Sequence, residues 1–432
     1  MRRDDRHNRK TNRSNKLGNV QQKNIIKHLL FIVAFLVMFF IITFTFKNLK
    51  NNFDLANNKT DSNEDILISN EDVNEKIDDS SNNEDVSFKM TAIGDVLCHN
   101  TQYWDAYNKE TNTYDFNYVY DDIRSYVKNS DIAVASLETS FAGAERGYSN
   151  YPTFNSPDDL AYSLKDLGVD VISTAGNHCL DMGFSGLSRT IDVLDKADIS
   201  HLGTYKTEED QNKILFKYIK GVKIAFINYT YGTNGIPVPS DKNFCVNLID
   251  KDLIKKHIES AKSQNADIIV ACMHWGTEYR ITQNQEQEEL ADFLFENGVN
   301  IIIGNHPHVL EPMEKRTITL DDGSTRDGFV IYALGNFICD QNADNTRNSI
   351  ILDLDITKHT NGDITIDKAT YTPICMYKNP SKTIRKMKLI DLEKTIDNYE
   401  SGIDSSIGAQ NYNYFKKQLE KIKNIVGEEI IE

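Results

Sequence analysis

Several apolar runs of this sequence end in polar side chains whose types suit metal binding. The runs cover residues 90–95, 131–138, 169–178, 266–276, 299–306 and 329–336. At or just beyond their ends stand Asp95, Glu138, Asn177, His178, His274, His306, His308 and Asn336. Carboxylate, amide and imidazole groups together bind divalent ions such as Zn, Mn or Fe. A carboxylate flanked by such groups can bridge two ions about 3.5–4 Å apart.

The histidines are distributed unevenly. A lone histidine at a strand end is usually a satisfied core or surface residue. His7, His28, His201, His257 and His359 are assigned to that class, but the other five all fall within the strand-end motifs: His99, His178, His274, His306 and His308. This clustering favours a metal site over a purely structural role.

The elements that must position these groups are predicted to be strands alternating with helices. The apolar runs are rich in β-branched residues and show little polar alternation, which is typical of strands buried on both faces. Helices are predicted at 157–167, 186–197, 250–263 and 283–297, and antiparallel hairpins at 214–228 and 309–333. Two packed mixed sheets flanked by helices fit this pattern better than one doubly wound sheet. Ligands bind at the carboxyl ends of strands in such α/β folds, so the polar residues are expected to converge.

Composition limits the possible partners. The chain has 432 residues, of which 26% are charged, and a formal net charge of -16. Nucleic acid is not expected as a partner because phosphate binding requires a basic face. Residues 1–28 nevertheless carry nine Lys/Arg and two acidic residues, whereas the remainder carries 39 basic and 62 acidic residues, a net of -23. Such a change of sign along a chain usually marks a boundary between compartments.

An uncharged apolar run, residues 29–46, lies at that boundary. Its length is near the lower limit for a membrane-spanning helix, and an uncleaved transmembrane helix is preferred to a cleaved signal peptide because no small-residue cleavage site follows. The positive-inside rule places residues 1–28 in the cytoplasm and the rest outside the cell. The polar segment 47–86 is predicted to be a disordered acidic linker.

The order of the motifs resembles the CapA-like capsule or poly-γ-glutamate biosynthesis family, a branch of the calcineurin-like metallophosphoesterase superfamily. The matching stretches are GDVLCH (94–99), SLET (136–139), NSPD (155–158), STAGNHCLDMG (173–183), HWGTEY (274–279), GNHPHVLEP (304–312) and YALGNF (332–337). The resemblance implies a four-layer α/β/β/α sandwich over residues 87–385. Residues 386–432 are predicted to form a helical tail, which either packs back on the domain or binds a partner.

The resemblance also implies roles for individual residues around two divalent ions (Mn, Fe, Zn or Mg). Glu138 would bridge the ions where the superfamily usually has Asp. His99 follows Asp95 by four positions, whereas the superfamily spacing is two. The implied metal ligands are Asp95, His99, Glu138, Asn177, His274, His306 and His308, with His274 and His306 on one ion and His308 on the other.

The GNH motif implies an acid beside the metals. His178 would stabilise or protonate a leaving oxygen. Asp181 would either orient His178 or cap the following helix near Met182. Glu278, Tyr279 and Asn336 would either line the pocket or be structural.

Two functions remain open at this point. The resemblance and the anchor imply a single-pass cell-membrane protein whose extracellular domain takes part in capsule polymer synthesis or export. Its expected partners are then a membrane complex and an anionic polymer. The alternative is a metal-dependent phosphoester or polymer hydrolase at the cell surface.

Overall fold

The computed structural model describes residues 84–319, 323–427 and 429–431. The predicted cytoplasmic segment and transmembrane helix, and the linker up to residue 83, lie outside these residues. None of the helices within the described ranges is both long enough and apolar enough to cross a bilayer.

The strands are numbered in chain order. They are β1 (Val86–Val96), β2 (Tyr107–Asn108), β3 (Thr113–Tyr114), β4 (Ile132–Leu137), β5 (Val171–Ser173), β6 (Ser200–Leu202), β7 (Leu215–Ile219), β8 (Val222–Thr230), β9 (Ile268–His274), β10 (Ile301–Asn305), β11 (Met313–Thr319), β12 (Thr325–Ile331), β13 (Asn336–Ile338), β14 (Asn348–Lys358), β15 (Ile364–Lys378), β16 (Met387–Asp391) and β17 (Ile430–Ile431).

The α-helices are numbered in the same way. They are α1 (Asn100–Ala106), α2 (Arg124–Lys128), α3 (Asp159–Leu167), α4 (Gly183–Lys196), α5 (Glu208–Gln211), α6 (Lys251–Ser263), α7 (Gln285–Asn297), α8 (Leu392–Glu400) and α9 (Gly408–Val426). Short 3-10 turns occupy Asn117–Tyr120, Ala144–Arg146 and Ser240–Cys245.

All strands except β2 and β3, which pair with each other, form two mixed sheets, as the sequence predicts. The first sheet has the order β16-β15-β14-β1-β4-β5-β6, with β13 paired to β1 and β17 to β15. In it β1, β4, β5 and β6 are parallel, while β14, β15 and β16 run antiparallel to their neighbours. The second sheet has the order β11-β12-β10-β9-β8-β7, with a parallel centre and antiparallel edge strands. Both predicted hairpins are confirmed as β7–β8 and β11–β12.

The hairpin between β7 and β8 turns at Lys220 and Gly221, whose φ angles are 50° and 85°. Positive φ at both central residues of a two-residue turn matches the right-handed twist of the flanking strands. Glycine adopts this conformation without strain. The Lys220-Gly221 turn therefore allows β7 to pair with β8 at the edge of the second sheet.

Hydrophobic side chains bury both faces of each sheet. One cluster lies between the sheets and contains residues of both, such as Met90 of β1 and Val270 of β9. A second cluster joins Ile93 of β1 to helix α3, and a third joins Ile302 of β10 to helices α6 and α7. Alternate residues of one strand thus enter different clusters, which explains the unbroken apolar runs. The layers are helix, sheet, sheet and helix.

The segment 386–432 is continuous with these layers. Strand β16 pairs with β15 at the edge of the first sheet. Helix α9 buries Phe415, Ile422 and Val426 in the cluster between the sheets. The segment therefore contains a sheet strand as well as helices.

Candidate metal centre

Five carboxylate and imidazole side chains meet where the central strands of both sheets end. Asp95 lies near the end of β1, and Glu138 directly follows the parallel neighbour β4. His274 is the last residue of β9, and His306 and His308 follow β10 beside it. All five are buried. Packing the two sheets face to face brings their carboxyl ends together at one edge.

The five residues form two groups that share Glu138. Ligand atoms of Glu138, His274 and His306 lie within 4.8 Å of one another, as do those of Asp95, Glu138 and His308. Glu138 Oε1 is 3.6 Å from His274 Nε2, and Glu138 Oε2 is 3.5 Å from Nδ1 of His308. Each carboxylate oxygen of Glu138 therefore faces a different group.

The centre contains polar atoms that the protein itself does not satisfy. Asp95 Oδ1, both carboxylate oxygens of Glu138, and Nδ1 of His274 and His306 are buried without a hydrogen-bond partner. Leaving such an atom unsatisfied costs about 1–3 kcal/mol, and more for a charged group. Divalent cations would satisfy all of them, so the donor set fits metal ions.

The backbone after β10 adopts an unusual conformation that places His306 and His308 in the centre. His306 and His308 have φ angles of 104° and 62°, in the region that non-glycine residues rarely adopt. The His306 main-chain N–H donates to Asp95 Oδ2 at 3.0 Å, which fixes the strained segment against β1. A Cβ on Gly304 would lie 1.9 Å from the Tyr332 carbonyl oxygen, so only glycine allows this approach. Strain of this kind concentrates at functional sites.

Burial shifts the pKa values of these groups toward their neutral forms. It raises the pKa of Asp95 to about 7. Burial, followed by the negative charge of Asp95, raises the pKa of Glu138 well above its usual range. Burial lowers the pKa of His306 to about 3 and that of His308 to about 4. Burial thus favours the neutral forms of the carboxyl and imidazole groups, and a metal ion requires carboxylates and neutral imidazoles as ligands.

The loop after β5 carries Asn177, His178 and Asp181. Asn177 Oδ1 lies 2.9 Å from Nε2 of His274, at the edge of the first group. The carboxylate of Asp181 accepts hydrogen bonds from His178 Nδ1 at 2.7 Å and from the Phe154 main-chain N–H at 2.7 Å. No side chain caps α4, so Asp181 contacts His178 and is not a helix cap.

His99 belongs to neither group. Its Nδ1 lies 3.0 Å from the Leu97 carbonyl oxygen and 3.2 Å from the Asp340 main-chain N–H. Its ring packs edge-on against Phe154, with centroids 5.5 Å apart. The structure thus places His99 beside the centre, with one ring nitrogen turned to the main chain.

The remaining motif residues surround His308. Asn336 Oδ1 lies 3.0 Å from His308 Nδ1, which orients the ring. Tyr279 has its ring centroid 5.9 Å from that of His308 and is half exposed, and Glu278 is exposed beside it. Asn336 therefore supports a candidate ligand, whereas Glu278 and Tyr279 lie at the mouth of the centre.

Two residues near the centre, Tyr231 and Asn234, were not identified as site residues from the sequence. The Tyr231 ring centroid lies 4.5 Å from that of His306. Asn234 Oδ1 accepts from the Asn177 side-chain amide at 3.1 Å. Both follow β8, a parallel neighbour of β9, so applying the strand-end rule to this strand would have drawn attention to them.

The fold and the site define an α/β protein of two packed mixed sheets with a candidate divalent-metal centre at one edge. The family model described as "Bacterial capsule synthesis protein PGA_cap" matches residues 89–341. This chain belongs to that family.

Individual relatives and solved structures resemble the chain over part of its length. "Capsule biosynthesis protein CapA" of Bacillus anthracis is 27% identical over 279 residues, which cover 62% of this chain and 64% of that protein. "PGA biosynthesis protein CapA" of Bacillus subtilis (strain 168) is 33% identical over 228 residues, covering 51% and 57%. The chain thus spans less than two thirds of the length of these relatives. The calcineurin-like phosphoesterase YfkN from Bacillus subtilis is 15% identical, with a TM-score of 0.42, over 77% of this chain and 99% of that one.

Proposed function

We propose that this chain is a membrane-anchored protein whose extracellular domain takes part in the synthesis or export of an anionic capsule polymer of the poly-γ-glutamate type. Membership of the capsule synthesis family supports the polymer. The domain would have a metallophosphoesterase-like fold and a centre for two divalent ions (Mn, Fe, Zn or Mg). The observation that carries the centre is Glu138, whose two buried, unpartnered oxygens face two different groups of ligands.

The charge distribution supports a localised role for this centre. Residues 87–432 carry 35 basic and 51 acidic residues, a net charge of -16, so the domain as a whole repels an anionic chain. Asp95, Glu138, His274, His306 and His308 would hold the ions, which would supply positive charge for carboxylates or phosphates of the polymer and lower the pKa of a bound water. An anionic polymer would then be held at the centre and repelled by the rest of the domain. This arrangement favours a domain that contacts the polymer at one point as it passes over one that binds a long stretch of it.

The test replaces Glu138 in the producing cell. With Glu138→Gln in place of the natural chain, we expect surface polymer to fall to the level of a deletion strain. Glu400→Gln, which alters an exposed carboxylate of α8, is the matched control and should leave the polymer unchanged. The full-length chain should also co-purify with a membrane partner. Normal surface polymer in the deletion strain would exclude the proposal.

A second function, metal-dependent hydrolysis of a phosphoester or polymer linkage, is favoured by one observation. His178 is held by Asp181 at 2.7 Å, next to the candidate ligand Asn177. In a hydrolase His178 would transfer a proton to the leaving oxygen, a contribution of about 10²–10⁴ in rate.

The full-length chain in detergent micelles can be assayed with a phosphodiester, a phosphomonoester and poly-γ-glutamate. For a hydrolase, we expect His178→Ala to lower kcat by about 10²–10⁴ while the metal content stays the same. If the metal-loaded chain cleaves none of the three substrates, the hydrolase function is excluded and only the role in polymer synthesis or export remains.

A further inference from the structure

The loop after β8, residues 231–236, is fixed both to the centre and to itself. The Tyr231 main-chain N–H donates to the His274 carbonyl oxygen at 3.0 Å. The Thr233 hydroxyl donates to the Ile236 carbonyl oxygen at 2.6 Å, and the Ile236 N–H donates back to the Thr233 carbonyl oxygen at 2.9 Å. The loop therefore presents its central residue, Asn234, in a defined position.

Asn234 contacts two consecutive residues of the GNH motif. Its Oδ1 accepts from Asn177 Nδ2 at 3.1 Å, and its Nδ2 lies 3.3 Å from His178 Nε2. Its φ angle is 52°, in the left-handed region that asparagine tolerates better than most residues. One amide side chain therefore bridges the loop after β8 and the loop after β5.

The contact with Asn177 has a directional consequence. An amide has one face that accepts hydrogen bonds and one that donates them. Because Asn234 Oδ1 takes the donating face of Asn177, the accepting oxygen of Asn177 is turned toward His274, whose Nε2 lies 2.9 Å away. Without that constraint the terminal torsion of Asn177 could turn by half a rotation and direct its NH₂ group at the ligands.

We propose that Asn234 is a positioning residue that holds the Asn177 side-chain oxygen toward the metal centre. The inference rests on the proposed metal centre and adds a residue outside its two ligand groups. Outer hydrogen-bond partners of metal ligands typically account for 10–100-fold in metal affinity. Asn234 is expected to have an effect of this size through Asn177 alone.

The experiment titrates the metal-free full-length chain, in detergent micelles, with Mn²⁺. Asn234→Gly removes the side chain but keeps the positive φ angle unstrained. We expect this variant to bind Mn²⁺ about 10–100-fold more weakly than the unsubstituted chain. Asn265→Gly is the matched control, since Asn265 is exposed and has a φ angle of 60°, and it should leave the affinity unchanged.

A second set of variants separates positioning from general loosening of the loop. In an Asn177→Ala background, Asn234→Gly should cause no further loss, because the group that it positions is gone. Asn234→Asp keeps an oxygen that accepts from Asn177. It should therefore recover most of the affinity lost in Asn234→Gly when Asn177 is present, and none when Asn177 is alanine.

The outcomes distinguish this inference from the proposed function. If the unsubstituted chain binds no Mn²⁺, the proposed centre fails, and the inference fails with it. If that chain binds Mn²⁺ and Asn234→Gly binds equally well, the inference alone is overturned. Equal losses from Asn234→Gly with and without Asn177 would also overturn it, because the loss would then arise elsewhere in the loop.

Discussion

Two buried polar regions, one in β8 and one at the ends of β1, β4, β9 and β10, differ in how their hydrogen-bonding capacity is satisfied. In β8, the Asn228 side chain accepts from the Ala175 main-chain N–H at 2.8 Å and donates to the Cys272 carbonyl oxygen at 2.9 Å. In the candidate metal centre, neither carboxylate oxygen of Glu138 has a partner. Both residues are about 1% exposed.

The difference shows which buried polar residues indicate a ligand. Buried polar groups in folded proteins are nearly always hydrogen-bonded, and Asn228 follows this rule by joining β8 to the β5 loop. The unpartnered oxygens of Glu138 break the rule, and they do so beside unpartnered nitrogens of His274 and His306. Carboxylate oxygens and imidazole nitrogens that lack partners and lie together form the kind of ligand set that binds a cation.

The largest effect is expected at Glu138, whose carboxylate oxygens have no hydrogen-bond partners. Because Glu138 belongs to both ligand groups, Glu138→Gln should weaken Mn²⁺ binding at both by more than the roughly 100-fold that follows loss of an outer partner. The metal-free variant should melt at the same temperature or higher, since a buried amide costs less than a buried carboxylate. Titration calorimetry and thermal melts measure the two effects, and a lower melting temperature with unchanged affinity would make Glu138 a structural residue.

Replacing the hydrogen-bonded residue Asn228 should instead lower stability and leave metal binding unchanged. Asn228→Ala leaves the Ala175 N–H and the Cys272 carbonyl unpaired, so the free energy of unfolding should fall by about 1–3 kcal/mol for each group. The folded variant should bind the same number of Mn²⁺ ions as the natural chain. Denaturant titration and metal analysis are the measurements; unchanged stability, or loss of an ion, would remove the distinction between the two regions.

His257 is a buried histidine outside the centre, and its response to pH gives a separate test. His257 has a protein partner, the Tyr229 hydroxyl at 2.7 Å from Nδ1, and burial, with the nearby charge of Lys256, lowers its pKa to about 4. Because this pKa lies below the unfolded value of about 6.5, the stabilisation is complete above pH 6.5 and is lost as the pH falls toward 4.

Between pH 7 and pH 4, the natural chain should therefore lose up to about 3 kcal/mol more stability than His257→Gln. The difference should be the same in EDTA and in Mn²⁺, since His257 lies outside the centre. Equal pH dependence of the two proteins would show that His257 does not titrate in this way.

The smallest effect concerns His99, which the resemblance offers as a ligand. Since its Nδ1 faces main-chain groups and it belongs to neither ligand group, His99→Gln should change Mn²⁺ affinity by less than about threefold. Glu138→Gln serves as the positive control in the same titration. A loss of tenfold or more would return His99 to the ligand set.

Much of this arrangement could be predicted from the sequence, for physical reasons. Strands buried on both faces give continuous apolar runs, so β1, β4, β9 and β10 were identifiable, and parallel strands must bring their carboxyl ends together. The antiparallel strands β14 and β15 were not predicted, although Thr360-Asn361-Gly362 between them is a turn signal. Their polar outer residues interrupt the apolar pattern on which the other strand predictions relied.

The details of the centre depend on conformations that a linear pattern does not contain. The orientation of His99 is set by contacts with Leu97 and with Asp340, which is distant in sequence. Asn234 reaches Asn177 only because its loop adopts a positive φ angle and closes on itself. Residue types and strand ends therefore predicted the location of the site, while the supporting contacts required the folded chain.

The most direct test of the central claim is the number of metal ions bound by the full-length chain. After reconstitution with Mn²⁺ and removal of free metal, elemental analysis by mass spectrometry should give two ions per natural chain and fewer than one per Glu138→Gln chain. One ion or none in the natural chain, or two ions retained without Glu138, would contradict a centre in which this carboxylate joins two ligand groups.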